Sequence, residues 1–357
     1  MKTKAHVLLA EGGLDYREIE ISGQANGDEK VLDVLACGYC GNDHHFIEDP
    51  NGIPLIKKGW VPFMVPGHEI YAQDLSGQKY IVPAVLTCGR CNMCRNGRSN
   101  LCENERMIGR DINGGFAMHI HIPRAYDLCP VSEEDIANLR AIGCPERNLA
   151  VMADAMTTAY NAVENVGKLR PFDRVLVVGS GGVGINVVQF AAAAGAVVVA
   201  ADINDVKANM AMDFGAVRGI NTRREGDPRD IFREIRQEVY EALGGPPTHC
   251  FEVAGHPDAY GLAAGLCGKG GQIIVVGFTL KKTEYCQHLH MAKGQNTLGA
   301  YGCPPHDYPR VLHMVTTGMV NLKDIVTKEV LLPNLSEAFE EQKNPKTIRT
   351  LILPYEA

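Results

Sequence analysis

The sequence predicts an α/β protein with two domains, one rich in β-strands and one built on a doubly wound parallel sheet. The chain has 357 residues, of which 45% are hydrophobic, and a single core rarely extends beyond roughly 250–300 residues. Short alternating runs fill the first 150 residues, whereas short apolar runs alternate with helical spacing from about Ala150. We therefore expect one domain over residues 1–150 and 301–357, and the other over 151–300.

The first of these domains is rich in Gly, Pro, Cys and His. Its alternating runs KVLDVLACG, QKYIVPAVL and GGFAMHIHIP predict strands of an irregular β-domain. After Gly299 the segments YGCPPHDYPRVLHMVTTGMV and IRTLILPYEA have mixed character again. We expect this last part of the chain to fold back onto the β-rich domain.

The second domain shows a regular alternation of strands and helices. RVLVVGSGG, AVVVAADIN, HCFEVAG and GGQIIVVGF predict short buried strands, and INVVQFAAAAGA and DIFREIRQEVYEALG have the spacing of helices. Strands that alternate with helices form a parallel sheet with helices on both faces.

A glycine-rich loop follows the first of these strands. In RVLVVGSGGVGINVVQFA, Gly179, Gly181 and Gly184 form GxGxxG between a strand and a helix, and Gly182 and Val183 begin that helix. Such glycines allow a tight turn, the approach of a pyrophosphate to backbone N–H groups, and close packing of helix on strand. The pattern indicates a Rossmann dinucleotide site, although a glycine-rich turn without a ligand is the alternative.

An acidic residue in the expected place supports the dinucleotide hypothesis. Asp202 ends the next predicted strand, about 20 residues further on, where a carboxylate can accept hydrogen bonds from the adenosine ribose. The residues that follow it, 203–205, read Ile-Asn-Asp and offer no cation for a 2'-phosphate. We therefore expect NAD rather than NADP.

Charge and composition exclude several other classes of protein. The net charge of -7 and pI of about 6.0 argue against a nucleic-acid partner. MKTKAHVLLAEGG lacks the apolar core of a signal peptide, and AAAAGAVVVAA is too short to span a membrane. We expect a cytoplasmic protein, in which the twelve cysteines are reduced and act as metal ligands or buried apolar groups.

Four cysteines lie in the short segment CGRCNMCRNGRSNLC. Cys88, Cys91, Cys94 and Cys102 have the spacing CxxCxxCx7C, which suits a tetrahedral zinc ion held by four thiolates. An iron–sulfur cluster and four unliganded thiols are the alternatives, but the fourth cysteine is distant and lacks the proline that often follows it in ferredoxins. A site filled by four cysteines has no open position, so a structural role is favoured.

Two further fragments carry groups that suit chemistry. CGYCGNDHHF contains Cys40, Asp43, His44 and His45, and VPGHEIY contains His68 and Glu69. Taken singly, a cysteine is usually a core residue and a histidine a hydrogen-bonded polar one. The spacing alone leaves their role open.

In this order, CGxCxxDxH, GHE, the four-cysteine segment, GGFA and GxGxxG resemble the zinc-dependent medium-chain alcohol dehydrogenases over nearly the whole chain. The resemblance implies a GroES-like catalytic domain, a Rossmann domain, one catalytic and one structural zinc ion, and a homodimer or homotetramer. It implies that Cys40 and His68 are catalytic-zinc ligands and that Glu69 can approach the metal. It also implies that Asp43 orients a ligand from behind.

A third zinc ligand is implied just before the helix that leads into the cofactor domain. The segment ADAMTTAYNAV places Asp154 at that position. An aspartate before AMTTAYNAV is also a good helix N-cap, and the residues alone do not decide between the two roles.

The sequence departs from the family at the proton relay. In the family a Ser or Thr two residues after the zinc cysteine passes the proton through the ribose to a histidine, whereas this chain has Asn42 there and His45 at the expected end. An amide does not accept and release a proton as a hydroxyl does. We expect that water or His45 takes over, with Asn42 donating a hydrogen bond to the substrate oxygen.

The remaining histidines and cysteines are interpreted more simply. His119 and His121 share a strand face with metal-like spacing, yet a solvated face is the simpler interpretation, as for His288 and His290. Packing is the expected role of the other cysteines, at positions 37, 129, 144, 250, 267, 286 and 303.

The family resemblance also bears on the class of substrate. Several segments, including MIGRDINGGFAMHIHIP and LGAYGCPPHDYP, resemble members of the family that oxidise a ring alcohol of a coenzyme A thioester. Such a polyanion needs local cations, and the candidates are Lys57, Lys58, Arg106, Arg110, Lys281 and Lys282. A generic secondary-alcohol or polyol dehydrogenase, or a zinc-stabilised NAD-binding sensor without turnover, are the alternatives.

Overall fold

The computed structural model describes residues 1–9, 12–22, 27–48, 64–284 and 287–355. The chain divides into two compact units. Unit 1 contains residues 1–157 and 302–357, and unit 2 contains residues 158–301. Asp154 therefore belongs to unit 1, together with Cys40 and His68.

The strands of the described residues are β1 (Lys2–Leu8), β2 (Leu14–Glu20), β3 (Lys30–Tyr39), β4 (Glu69–Gln73), β5 (Lys79–Val82), β6 (Val85–Leu86), β7 (Arg106–Met107), β8 (His119–Ile122), β9 (Cys129–Val131), β10 (Arg174–Val178), β11 (Val197–Asp202), β12 (Arg218–Asn221), β13 (His249–Glu252), β14 (Gln272–Val275), β15 (Asn296–Gly299), β16 (Val326–Leu331) and β17 (Arg349–Leu353).

The α-helices are α1 (Gly41–Glu48), α2 (Asn92–Arg95), α3 (Glu133–Ala141), α4 (Leu149–Val151), α5 (Thr157–Tyr160), α6 (Gly182–Ala193), α7 (Asp205–Met210), α8 (Pro228–Leu243), α9 (Pro257–Leu266), α10 (Gln287–Lys293), α11 (Tyr308–Thr316) and α12 (Ser336–Glu341).

Unit 1 is built on a seven-stranded sheet. Its strands follow the order β16-β17-β3-β4-β5-β9, and β8 also pairs with β3. The central strand β3 alternates partly exposed and buried positions along KVLDVLA and is buried throughout its last four residues. Its end lies beside the start of β4, where Gly38 pairs with Glu69, and beside β17, where Tyr39 pairs with Thr350. This register brings CGYC, GHE and the C-terminal strand to one place.

Unit 2 contains a six-stranded sheet in the order β12-β11-β10-β13-β14-β15, and every pairing in it is parallel. Its strands are buried apolar runs, and Leu176, Val199, Cys250 and Ile273 meet in its core. Strands buried on both faces read as continuous apolar stretches. The predicted α/β class with a doubly wound parallel sheet is confirmed, and helices alternate with the strands as expected.

The structure adds to and corrects several predictions for individual elements. The run QKYIVPAVL contains two strands, and GGFAMHIHIP is a strand only over its HIHI part. Strands β12, with sequence RGIN, and β15, with sequence NTLG, have no apolar run and were not predicted.

The alternative that Asp154 caps a helix is wrong. Helical backbone begins at Leu149, five residues before it, and continues as a π-helical segment over Met152–Met156. An N-cap residue has extended backbone and precedes the first turn. Asp154 lies inside this helical run, so its side chain does not serve as its cap.

His119 and His121 are half-buried rather than freely solvated. Nε2 of His119 lies 3.4 Å from Asp33 Oδ1, and Nε2 of His121 lies 3.4 Å from Glu29 Oε2. Each histidine thus has its own carboxylate neighbour. Within the described residues, no helix combines the length and the apolar character that crossing a membrane requires.

Candidate active site

Four metal-type donors from three parts of unit 1 converge on one point. Ligand atoms of Cys40, His68, Glu69 and Asp154 all lie within 4.8 Å of one another. Cys40 follows β3, His68 and Glu69 stand at the start of β4, and Asp154 projects from the π-helical segment. Cys40, His68 and Glu69 are buried, and Asp154 is partly exposed. The structure therefore brings together the three ligands that the resemblance implies, with Glu69 beside them.

Asp43 orients two of these donors, His68 and Cys40, through hydrogen bonds. Its Oδ1 lies 3.0 Å from His68 Nδ1 and accepts a hydrogen bond from the Gly67 N–H, while its Oδ2 accepts one from the Cys40 N–H. The carboxylate is 1% exposed. A carboxylate on Nδ1 holds the proton on that nitrogen and directs Nε2 toward the metal position.

The donor set fits a zinc ion. Nε2 of His68 lies 3.3 Å from Asp154 Oδ2. In a tetrahedral zinc site with bonds of about 2.0–2.1 Å, two ligand atoms are about 3.3–3.4 Å apart. The observed distance therefore matches that of two ligands of one zinc ion. Among the described residues, His68 Nε2 and both carboxylate oxygens of Glu69 are buried and make no hydrogen bond of standard geometry, although Asp154 and Arg349 are their ion-pair neighbours. Buried polar atoms without hydrogen bonds are rare in proteins, and a metal ion at this position would engage the His68 nitrogen.

Burial and neighbouring charges act in opposite directions on the ionisation of His68. Burial opposes its protonated form, but the carboxylates of Asp43 and Asp154 outweigh burial and raise its pKa well above the ordinary value. A cation at Nε2 is therefore strongly favoured here, and zinc can replace the proton.

Glu69 is held by a buried cation that the sequence interpretation missed. Burial raises the pKa of Glu69 to about 7, against the opposing effect of the Arg349 guanidinium. Arg349 Nη2 lies 3.2 Å from Glu69 Oε1, and its Nη1 donates to the Tyr39 carbonyl. A Cβ on Gly38 would lie 2.0 Å from Glu69 Oε2, so only glycine leaves room for this carboxylate. Arg349 stands in the apolar strand RTLIL, and no spacing pattern links it to GHE.

The four-cysteine segment forms a second, separate cluster in unit 1. The Sγ atoms of Cys88, Cys91, Cys94 and Cys102 are close together, with Sγ–Sγ distances of 3.5 Å (Cys91–Cys94), 3.8 Å (Cys91–Cys102) and 4.0 Å (Cys88–Cys94). Four thiolates about 2.3 Å from a zinc ion are separated by about 3.8 Å. All the described cysteines are free of disulfide bonds. The geometry fits a closed tetrahedral zinc site.

Backbone N–H groups donate hydrogen bonds to the sulfur atoms of this second cluster and favour their thiolate form. The N–H of Arg90 hydrogen-bonds the Cys88 thiolate and lowers its pKa to about 6. The N–H groups of Cys88 and Asn104 both donate to Cys102 Sγ, although burial raises the pKa of Cys102 to about 12. Donors directed at sulfur favour the thiolate form that metals bind.

In unit 2, the glycines of GxGxxG have three different environments. Gly179 has a φ of +102°, which other residues rarely adopt. A Cβ on Gly184 would lie 1.8 Å from the Gly179 carbonyl oxygen, whereas a Cβ on Gly181 would meet nothing within 4 Å. Gly181 is the N-cap of α6, which begins with Gly182 and Val183. The space beside Gly181 and the free N–H groups of the first turn fit a pyrophosphate.

Asp202 stands at the end of β11 beside this loop. Its Oδ2 accepts a hydrogen bond from the Ser180 N–H, and its Oδ1 accepts one from the Asn204 N–H. These bonds fix the carboxylate next to the glycine loop. Each oxygen keeps a second lone pair for a ribose hydroxyl.

The two relay candidates lie on α1, next to Cys40 in sequence. Asn42 is half-buried and His45 is exposed. The neighbouring His44 lies near Glu48 and the Tyr39 hydroxyl, at 3.1 and 3.4 Å. Neither Asn42 nor His45 belongs to the four-donor cluster.

The other residues singled out in the sequence have diverse environments. Cys37, Cys129, Cys144, Cys250, Cys267 and Cys303 are buried, in agreement with packing, while Cys286 lies outside the described residues. His290 Nε2 lies 3.2 Å from the Tyr260 hydroxyl oxygen, and His288 lies on the same helix, α10.

The candidate cations for coenzyme A differ in exposure and in their ion pairs. Arg110 pairs with Glu105 and Asp111. Arg106, Lys281 and Lys282 are exposed, and Lys57 and Lys58 lie outside the described part of the chain.

A β-rich unit with two zinc-type clusters, joined in one chain to a Rossmann unit, defines a zinc-dependent oxidoreductase that uses a dinucleotide. The family model described as "Alcohol dehydrogenase GroES-like domain" matches residues 26–133, and the one described as "Zinc-binding dehydrogenase" matches residues 182–317. The chain belongs to the zinc-dependent medium-chain alcohol dehydrogenase family.

Full-length relatives agree with this assignment. An NDMA-dependent alcohol dehydrogenase of Amycolatopsis methanolica is 27% identical over 99% of both chains. A sorbitol dehydrogenase of Bacillus subtilis is 25% identical over 95% of both. The solved structure of the alcohol dehydrogenase TADH from Thermus sp. ATN1 has a TM-score of 0.83 and 22% identity, and the match covers 98% of this chain and 99% of that one.

Proposed function

We propose that this chain oxidises a secondary alcohol to a ketone with NAD at a zinc ion held by Cys40, His68 and Asp154. The observation that carries the proposal is the convergence of a thiol, an imidazole and a carboxylate within 4.8 Å. Three protein ligands are typical of a catalytic zinc, because the fourth position stays open for substrate. The closed four-cysteine cluster has no such position and is proposed as the structural zinc site.

The residues around the metal position each have a separate task. A zinc ion bound there supplies Lewis-acid chemistry, lowering the pKa of an alcohol oxygen toward neutrality. Asp43 keeps the proton of His68 on Nδ1, which leaves Nε2 as a ligand. Glu69, held by Arg349, adds negative charge beside the ligands and lies within reach of the metal position.

NAD is proposed as the hydride acceptor. The backbone N–H groups of Gly182 and Val183 receive the pyrophosphate, and Asp202 binds the adenosine ribose. A 2'-phosphate in that place would face the Asp202 carboxylate, so NADP is disfavoured. Comparing the KM for NAD and NADP tests this step, since equal values would contradict it.

The proton is proposed to leave by a route other than the family's hydroxyl relay. Asn42 donates a hydrogen bond to the substrate oxygen, and water or the exposed His45 on α1 takes the proton. In Asn42→Thr a hydroxyl relay would be restored, and the pH profile of the rate should shift. An unchanged rate and pH profile would contradict this assignment.

The proposed substrate is the allylic ring alcohol of an acyl-CoA, with 6-hydroxycyclohex-1-ene-1-carbonyl-CoA as the leading candidate. Support comes from the similarity of several segments to the dehydrogenase that acts on this compound in anaerobic breakdown of aromatic compounds. Exposed cations are present in each unit taken by itself, Arg106 in unit 1 and Lys281 and Lys282 in unit 2, and either set can offer positive charge to the coenzyme A phosphates.

A generic secondary-alcohol or polyol dehydrogenase is the second candidate, and the match to a sorbitol dehydrogenase over 95% of the chain favours it. NADH formation followed with the cyclohexene-carbonyl-CoA alcohol, sorbitol, threonine and simple secondary alcohols separates the two. The CoA ester should give the highest kcat/KM, and a preference for sorbitol would overturn the CoA proposal. Asp154→Asn should abolish turnover, while Asp258→Asn, at an exposed carboxylate of unit 2, should not.

We also propose a homodimer or homotetramer in the cytoplasm. Strand β15 forms one edge of the unit 2 sheet, and edge strands present unpaired backbone groups to a partner. Leu289 and Met291 on α10, in the same unit, are 39% and 75% exposed. The molar mass measured by light scattering tests this proposal, because a monomer would contradict it.

A further inference from the structure

The backbone around Asp154 is unusual for a helix. Regular helix over Leu149–Val151 gives way to π-helix over Met152–Met156 and returns to regular helix at Thr157. A π-helical segment widens the turn and often marks a functional site. Here it contains Asp154, the carboxylate that lies 3.3 Å from His68 Nε2.

One side chain from a distant part of the sequence holds this segment. The hydroxyl of Tyr308 donates a hydrogen bond to the carbonyl of Ala153, at 2.5 Å. Ala153 is the residue before Asp154 and is fully buried, and Tyr308 is 2% exposed. The Thr157 hydroxyl in turn donates to the Asp154 carbonyl. Both bonds fix backbone on either side of the Asp154 side chain.

Tyr308 is itself rigidly placed. It is the first residue of α11, directly after a 3₁₀ turn over Pro305–Asp307, and prolines stand at positions 304, 305 and 309. Proline fixes the backbone φ angle near -65°. The ring is also among the largest fully buried side chains of the described residues. An anchor of this kind can transmit little motion to the carbonyl that it holds.

We propose that Tyr308 is a positioning residue for the catalytic metal, acting through the Ala153 carbonyl to hold Asp154 at ligand distance. The inference rests on the proposed function of the Cys40, His68 and Asp154 cluster. Zinc–oxygen bonds are confined to about 2.0–2.2 Å, so a small shift of the Asp154 backbone removes the carboxylate from this range. Asp43 fixes Cys40 and His68, and the π-helical segment sets the backbone position of Asp154.

The test is Tyr308→Phe, with Tyr71→Phe as a matched control. Tyr71 is a fully buried tyrosine of the same unit, and its hydroxyl has no hydrogen-bond partner among the described residues. Zinc-loaded full-length protein is titrated with a chelator, which gives the affinity of both zinc sites. Tyr308→Phe should weaken the catalytic site about fivefold, the effect of one hydrogen bond. Tyr71→Phe should leave that affinity unchanged, and the four-cysteine site should retain its zinc in both variants.

A second readout distinguishes positioning from loss of stability. With Co²⁺ at the catalytic site, Tyr308→Phe should alter the visible d–d spectrum, because the geometry of the carboxylate ligand changes. Equal zinc affinities in the two variants, or weakening of both sites together in Tyr308→Phe, would overturn the positioning role. A wild-type chain that binds zinc only at the four cysteines would instead overturn the proposed function, and this inference with it.

Discussion

Replacing Gly181 by alanine separates cofactor binding from folding within the glycine loop. A Cβ at this position meets no atom within 4 Å, and the backbone φ of -79° suits alanine. The gain from a less flexible unfolded chain and the loss of a good N-cap residue nearly cancel, so stability should change by less than about 0.5 kcal/mol. With NAD bound, the new methyl group would occupy the space of the pyrophosphate. Losing one or two charge-assisted hydrogen bonds costs about 2–3 kcal/mol, or about 30- to 150-fold in Kd.

Gly184→Ala is the matched comparison, because it adds the same methyl group three residues further along. There the Cβ would lie 1.8 Å from the Gly179 carbonyl oxygen, so the loop must shift at a cost of about 3 kcal/mol in stability. Fluorescence titration with NADH and urea unfolding measure the two effects. If Gly181→Ala binds NADH within threefold of the wild type, or unfolds as readily as Gly184→Ala, the assignment of this space to the cofactor is wrong.

Three further predictions concern stability, measured by urea unfolding. Arg349→Met leaves the buried Glu69 carboxylate without its cation and should cost about 3 kcal/mol; a loss below about 1 kcal/mol would contradict this. Phe172 is 84% exposed with a φ of +71°, so Phe172→Gly should relieve strain and stabilise the protein by about 1 kcal/mol, and a less stable variant would refute the strain argument. Burial opposes ionisation of Asp74, but hydrogen bonds from Lys30 and its own turn outweigh it and lower its pKa. Asp74→Asn should therefore cost about 1 kcal/mol at pH 7. This cost should begin to shrink as the pH falls below about 4, because the unfolded chain gains its proton there while the folded carboxylate, with its lowered pKa, stays ionised. A cost that is the same at pH 2 as at pH 7 would contradict the linkage.

The sequence predicted those features that depend on local pattern. Spacing alone indicated the function of three features. These are the four cysteines within fifteen residues, GxGxxG after an apolar run, and Asp202 at the end of the next run. The parallel sheet of unit 2 follows from alternating strands and helices. Strands β12 and β15 escaped prediction because their pairing depends on neighbouring strands more than on their own residues.

Local sequence pattern could not predict the features that depend on tertiary contacts. Cys40, His68 and Asp154 meet through the β3–β4 register and a helical segment, and only the family resemblance suggested that they belong together. Arg349 and Tyr308 lie far along the chain from the residues that they hold. A charged residue at the start of an apolar strand, and a tyrosine between prolines, give no local signal of such roles.

Counting the zinc ions bound per chain, in the wild type and in Cys40→Ser, shows whether Cys40 is a ligand of a second metal ion. We expect about two zinc ions in the wild type and about one in the variant, which keeps the four-cysteine site. One zinc ion in the wild type, or two in Cys40→Ser, would contradict the claim that Cys40, His68 and Asp154 hold a metal.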